Sequence, residues 1–205
     1  MYNPAHFRED DRSRILDFID DFNFGILFAG AAASHLPFLL DRHAHANGVL
    51  YAHVARANRQ WQSLRDDPSA LVVFSGPDAY ISPAHYRDTL PVPTWNYVAV
   101  HVYGRVRVIE QPQEIRAILE RMVTFEESRN GTGWNTDAIP PDQMTPLLRQ
   151  IVAFEIVIER FEGKWKLGQN RDAANRRRAA EGLLATGRRR AVEVGELMLA
   201  ELDRE

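Results

Sequence analysis

The residues of this chain best equipped for chemistry are two histidines, two cations and a set of aromatic and amide side chains. Arg56 and Lys166 can each hold an anion, the arginine as a planar fork and the lysine as a point charge. Either can equally be a solvated surface charge. His35 and His53 can donate together to an anion or a ring edge, or line the interior as a satisfied pair. Tyr80 and Ser82 alternate onto one face of a short strand. The hydroxyl suits an anion and the ring suits a flat ligand. The plainer alternative is turn chemistry before Pro83 plus a core aromatic. Trp95 and Asn96 stand where a proline-rich loop enters a long strand. Asn96 carries both a donor and an acceptor, and the pair can also be a core tryptophan and a turn cap. Gln169 and Asn170 close the last strand, where Gly and Asn also favour a turn.

Other chemistries are excluded or weak. With no cysteine, disulfides, thiolate catalysis and cysteine-bound metal are ruled out. His43 and His45 lack a carboxylate at ligand spacing, so no metal site is expected. The formal net charge is −3, without the basic balance of a dedicated DNA reader. Arg176–Arg178 and Arg188–Arg190 are the local exception. Glu181, Glu193, Glu196, Glu201, Asp203 and Glu205 surround them, so a solvated face is expected. No helix-turn-helix and no Gly-x-Gly-x-x-Gly after a strand is present. Neither a signal peptide nor a membrane-length apolar run is found. A soluble, cytoplasmic protein is expected.

The elements that must position these residues follow from periodicity. Phe7–Phe22 reads as an amphipathic helix, with Ile15, Phe18, Ile19 and Phe22 on one face. Residues 23–29 read as a buried strand and 33–40 as a second, with Pro37 at an edge or bulge. After a turn-rich loop, 49–54 is the return strand. A simple hairpin centred near Ala44 sets His35 opposite His53. A short helix spans 58–64. Strand 71–74 ends at Ser75-Gly76-Pro77, and 79–82 continues beyond that break. Pro83, Pro91 and Pro93 punctuate a loop. From Trp95 to Ile109 the even positions Val98, Val100, Val102, Val106 and Val108 form a core face. The odd positions mix aromatics with polar groups and suit a ligand or a partner subunit. Pro112–Glu127 is a helix, 151–161 a long strand ending in a Glu162-Gly163 turn. The tail from Asp172 is helical with interruptions near Gly182 and Gly187. The length of 205 residues suits one main domain. The fold class is mainly β with flanking helices (α+β), antiparallel strands closing as a small Greek-key barrel.

Several segments together resemble the PaiB family. They are Met1-Tyr2-Asn3-Pro4, His53-Val54-Ala55-Arg56-Ala57-Asn58, Phe74-Ser75-Gly76-Pro77, Tyr80-Ile81-Ser82-Pro83, Val92-Pro93-Thr94-Trp95-Asn96-Tyr97 and Lys166-Leu167-Gly168-Gln169-Asn170. Their order is kept to about Asn170. The chain departs from the family after Ile-Ser-Pro, with Ala84-His85-Tyr86 for the usual Ser-Trp-Tyr. The resemblance implies an FMN-binding split β-barrel, related to pyridoxamine phosphate oxidases. It implies a homodimer with two FMN sites at the interface and a role as a negative transcriptional regulator. It makes His35, His53, Arg56, Tyr80, Ser82, Trp95, Asn96, Lys166 and Gln169 candidate FMN contacts. Gln169 is then set to reach the neighbouring subunit's flavin. Residues 1–170 would form the flavin domain and 171–205 a helical extension. A flavin oxidoreductase acting on a small molecule, a DNA-binding repressor and a haem-binding barrel are the competing readings.

Overall fold

Three long antiparallel strands carry the architecture. The computed structural model describes residues 1–87 and 92–204, so Pro91 and Glu205 lie outside the described residues. In chain order the elements begin with β1 (Arg8–Glu9), α1 (Arg12–Asp21), β2 (Phe24–Ala29), β3 (Ala32–Pro37), β4 (Leu39–Asp41) and β5 (Val49–Ala55). Then come α2 (Gln60–Asp66), β6 (Ser69–Ile81), β7 (Thr94–Ile109), α3 (Pro112–Asn130) and α4 (Pro141–Arg149). The chain ends with β8 (Ile151–Lys166), α5 (Ala173–Ala185) and α6 (Arg189–Leu202). The strands form one antiparallel sheet in the order β3-β2-β6-β7-β8-β5-β4, with β1 paired to β8. This is the expected α+β class.

The chain divides into two compact units. The first holds Met1–Asp11, Ser75–Val100 and Glu162–Glu205, and the second Arg12–Phe74 and His101–Phe161. Strands β6, β7 and β8 run through both. In the second unit, Leu27, Leu50, Val54, Val72, Phe74, Val102, Phe154 and Ile156 are buried, as are Ile15, Leu16 and Ile19 of α1. A satellite cluster of Leu39, Ile109, Ile115, Ile118, Met122, Met144 and Leu148 lies under α3 and α4. In the first unit, Ile81, Val98, Val100 and Leu167 are buried, as are Ala180, Leu183, Val194 and Met198 of α5 and α6. Gly195 sits where a Cβ would come within 3.0 Å of the Ala180 carbonyl oxygen, so α5 and α6 approach closely.

Several expectations need correction. The first helix starts at Arg12, because Phe7 belongs to a 3₁₀ turn and Arg8 and Glu9 pair with Lys164 and Gly163. Helical spacing alone did not reveal that Phe7 is buried by another element. That same pairing keeps Glu162-Gly163 inside β8 instead of forming a turn. Strand 23–29 is half-buried, with Phe24 exposed on its open face. The predicted strand 33–40 is two strands. Before Phe38 the chain pairs with β2, and after it with β5. His35 therefore lies opposite Ile26, and His53 opposite Ala153, not opposite each other. Strand β6 runs unbroken through Pro77. The last residue it pairs with β2 is Val73, so the missing donor of Pro77 leaves no β2 bond unmade. On β7 the buried face changes at the end, where Val108 is half-buried and Ile109 buried. Gly182 lies within α5, whereas Gly187, at φ +62°, does separate the two helices. Helix α4 was not foreseen, since its Pro140-Pro141 opening and internal Pro146 mask a helical pattern.

Gly104 fixes the closeness of β7 and β8. A Cβ there would lie 2.4 Å from the Val157 carbonyl oxygen, a contact that backbone cannot yield cheaply. Gly104→Ala is expected to destabilise the protein by about 1–3 kcal/mol. Urea unfolding checks this, and an unchanged midpoint would contradict the close approach.

Candidate functional site

Alternation along β6 and β7 creates the most chemically equipped cleft of the first unit. Ala79 and Ile81 point inward, so Tyr80 points out and stays 48% exposed. Asn96 and Val98 point inward, so Trp95 points out and stays 54% exposed. The two rings meet edge to face, their centroids 6.0 Å apart. Just beyond β6, the Ser82 hydroxyl accepts from Ala84 N at 3.2 Å and caps a 3₁₀ turn that carries His85. The His85 ring rests on Gly182. A Cβ at that position would fall 2.2 Å from its Nδ1.

The opposite wall is cationic. The Gly187 turn delivers Arg188, Arg189 and Arg190 to the start of α6, and with Tyr80, Ser82, His85 and Trp95 they line a cleft of roughly 510 Å³. Arg190 pairs with Asp78 at 2.8 Å, and Arg189 with Glu193 at 3.0 Å. Among the described residues the Arg188 side chain has no partner. No acidic residue stands in the first turn of α6, and no side chain caps it. Cations at the positive end of a helix are electrostatically unfavourable until an anion joins them.

Lys166 borders the same strand. Its Nζ donates to Thr94 Oγ1 at 2.6 Å and to the Trp95 carbonyl oxygen. Lys164, two residues before it on β8, donates to the Tyr2 carbonyl oxygen at 2.9 Å and sits over the Tyr97 ring at 5.4 Å. Neither lysine meets a carboxylate among the described residues. Burial, then the charge of Lys164, pushes the Lys166 amine below its ordinary pKa. Two neighbouring ammonium groups with only neutral partners are poised for an anion.

The remaining candidates fall into place separately. Gln169 is committed within its turn, accepting from Leu167 N and donating to the Trp165 carbonyl oxygen, each at 2.8 Å. Asn96 is buried, with Nδ2 3.3 Å from Met198 Sδ. Asn170 is exposed. In the second unit, Arg56 ties the end of β5 to the start of β8. It donates to the Arg149 and Ile151 carbonyl oxygens and pairs with Glu110 at 3.0 Å. This bond is the main reason the Glu110 carboxyl is held below its usual range. His35 is exposed on β3. His53 lines a different, apolar cavity. On the odd face of β7 in this unit, Arg160 stacks on Tyr103 at 3.4 Å and Arg107 bridges Glu155 and Glu114. The structure thus brings Tyr80, Ser82 and Trp95 to one cleft, with Lys166 beside Trp95. Sequence reading missed His85 and the placing of Arg188–Arg190. The Gly187 break was the available signal for the latter.

Residues 1–160 match the family model described as "Putative FMN-binding domain". The chain is 31% identical over 214 residues to the protease synthase and sporulation protein PAI 2 of Bacillus subtilis (strain 168), with 100% of both chains covered. A conserved hypothetical protein of Mycobacterium tuberculosis superposes with a TM-score of 0.57 at 15% identity, covering 83% of this chain and 92% of its own. An FAD and heme binding protein from Mycobacterium smegmatis gives 0.56 at 16%, covering 82% and 78%. The fold is the split barrel expected from the sequence. Among the described residues no helix is long and apolar enough to cross a membrane.

His53 makes stability depend on pH. Burial lowers its pKa from the ordinary 6.5. Below that pH the unfolded imidazole takes a proton that the folded one refuses, so stability falls as pH drops through the window beneath 6.5. His53→Gln should flatten that part of the profile. Urea midpoints at several pH values between 7 and 5 provide the check, and parallel wild-type and variant profiles would refute it.

Proposed function

The chain belongs to the PaiB-type FMN-binding family, and from that premise we propose that it is a homodimeric regulator whose FMN lies in the Tyr80–Trp95 cleft. The observation that carries this reading is the conjunction of two exposed aromatic rings with an unpaired arginine in one cleft. FMN needs a wall for its ring, cations and donors for its phosphate, and hydrogen bonds at its ring edge. The donor set fits each need. Trp95 and Tyr80 wall the ring. Ser82 and Arg188 hold the phosphate, with Arg190 released from Asp78 or shared with it. Lys166 offers its ammonium to the ring edge beside the Trp95 carbonyl. Gln169 and Gly168, at φ +92°, hold the turn that keeps Lys166 in place. Bound FMN supplies redox chemistry through its ring. In this reading residues 1–170 are the flavin domain, and 171–205 form an extension that supplies the arginines.

Regulation is read through flavin occupancy and not through groove reading. The relative in Bacillus is named for protease synthesis and sporulation, which supports a regulatory role. Of the tail arginines, Arg176 is buried, and Arg189 and Arg190 are paired. Among the described residues that leaves no run of three exposed, unpaired arginines in the tail to track a duplex. A cytoplasmic location goes with this role.

Trp95→Ala is expected to weaken FMN binding roughly tenfold by loss of ring contact. Arg188→Glu is expected to weaken it by at least about as much, through charge reversal at the phosphate. Titration of apo-protein followed by flavin fluorescence measures both, and wild-type affinity in both variants would remove the flavin from this cleft. Light scattering should report twice the 23.4 kDa chain mass; a monomer at micromolar concentration would sink the dimer. Rapid bleaching of the bound flavin by NAD(P)H with turnover would shift the reading to an oxidoreductase.

A further inference from the structure

The second unit contains a cavity of a different character. It measures roughly 270 Å³ and is lined by Val123, Ile139, Met144 and Leu148, with His53 on one side. Trp134 and Leu147 also line it while remaining 45% and 47% exposed. Large apolar side chains left open around a concave apolar wall mark a ligand site more often than plain surface. The charged pair beside them, Arg116 and Glu120, neutralise each other at 2.7 Å.

Thr136 and Gln150 also line the cavity, and His53 supplies its buried polar group. The His53 ring makes no hydrogen bond among the described residues, and its Nδ1 is buried without a partner. Burial keeps the ring neutral near neutral pH. A neutral imidazole carries one proton, and a buried N–H without an acceptor is rarer than a bare lone pair. The proton therefore belongs on Nε2, which becomes the one donor His53 can turn to a ligand. We infer that this cavity binds a small, flat, uncharged organic molecule bearing a hydrogen-bond acceptor, of the aromatic ketone class, with His53 Nε2–H donating to its oxygen. Nothing in this assignment depends on where the flavin sits.

Acetophenone and ethylbenzene, alike in shape but differing in the carbonyl oxygen, form the test pair. Each is titrated into the full chain while NMR follows the Trp134 indole and the His53 ring. Acetophenone should give saturable shifts at both, and ethylbenzene should bind up to about tenfold more weakly. His53→Phe should abolish that preference. Equal affinities in the wild type, or no saturable shift at Trp134 by millimolar acetophenone, would overturn the assignment. Leu148→Trp, which fills the space, should abolish binding; full binding in that variant would place the ligand elsewhere. Excess FMN should leave the shifts intact. Displacement by FMN would make the cavity part of the flavin site, overturning this inference without touching the family assignment.

Discussion

One constraint governs the rest: β7 can bury only alternate residues. Val98, Val100 and Val102 are almost fully withdrawn from water, at roughly 1.5–3 kcal/mol for each side chain fully buried. That gain fixes the register, since a slip of one residue would turn every valine to solvent. The same register forces Trp95 outward. Tyr80 is turned out by the equivalent alternation on β6, between Ala79 and Ile81. Two large rings are thus exposed because their neighbours are buried. Their exposure is imposed by the core, and it gives the cleft a wall without any dedicated loop.

Charge is distributed by a second logic. In the second unit Arg56 is answered by Glu110 and two carbonyls, and Arg107 by two glutamates. Those bonds hold strands and helices together, and they leave little over for a guest. In the first unit Lys164, Lys166 and Arg188 have neutral partners or none. A buried or helix-end cation without an anion raises the free energy of the empty protein. Any anion that binds there recovers part of that energy. Stability and affinity are therefore linked at this cleft, and the chain is expected to be less stable without its ligand than with it.

Much of this was readable from residue order. The valine alternation, the α3 pattern from Ile115 to Val123 and the Gly187 break are local signals, and each maps onto the observed element. The failures are of a different kind. Whether Pro77 or Gly163 ends a strand depends on which neighbour needs the backbone N–H at that point, and pairing is decided by residues far along the chain. Glu9 settles the fate of Gly163, and the end of β2 settles that of Pro77. The strand switch at Phe38 undid the His35–His53 pairing for the same reason. For the candidate site, residue type singled out Tyr80, Ser82, Trp95 and Lys166, which the structure sets near one another. It could not show that Arg56 spends its donors on backbone carbonyls, or that His85 is seated on Gly182, because both are facts about distant partners.

The two cavities also differ in what they can discriminate. A cationic, half-open cleft selects first by charge, and salt will weaken that selection because the groups are exposed. An apolar cavity with one neutral imidazole selects by shape and by a single hydrogen bond, and ionic strength will barely affect it. Moving His53 towards the charged form would require desolvating an imidazolium among Met144, Leu148 and Ile151, and the carboxylate that lines the cavity among the described residues, Glu120, is already paired with Arg116. Its neutrality is therefore a property of the packing of α3 and α4 against β5 and β8. The helix missed in the sequence is the element that makes that histidine chemically distinct.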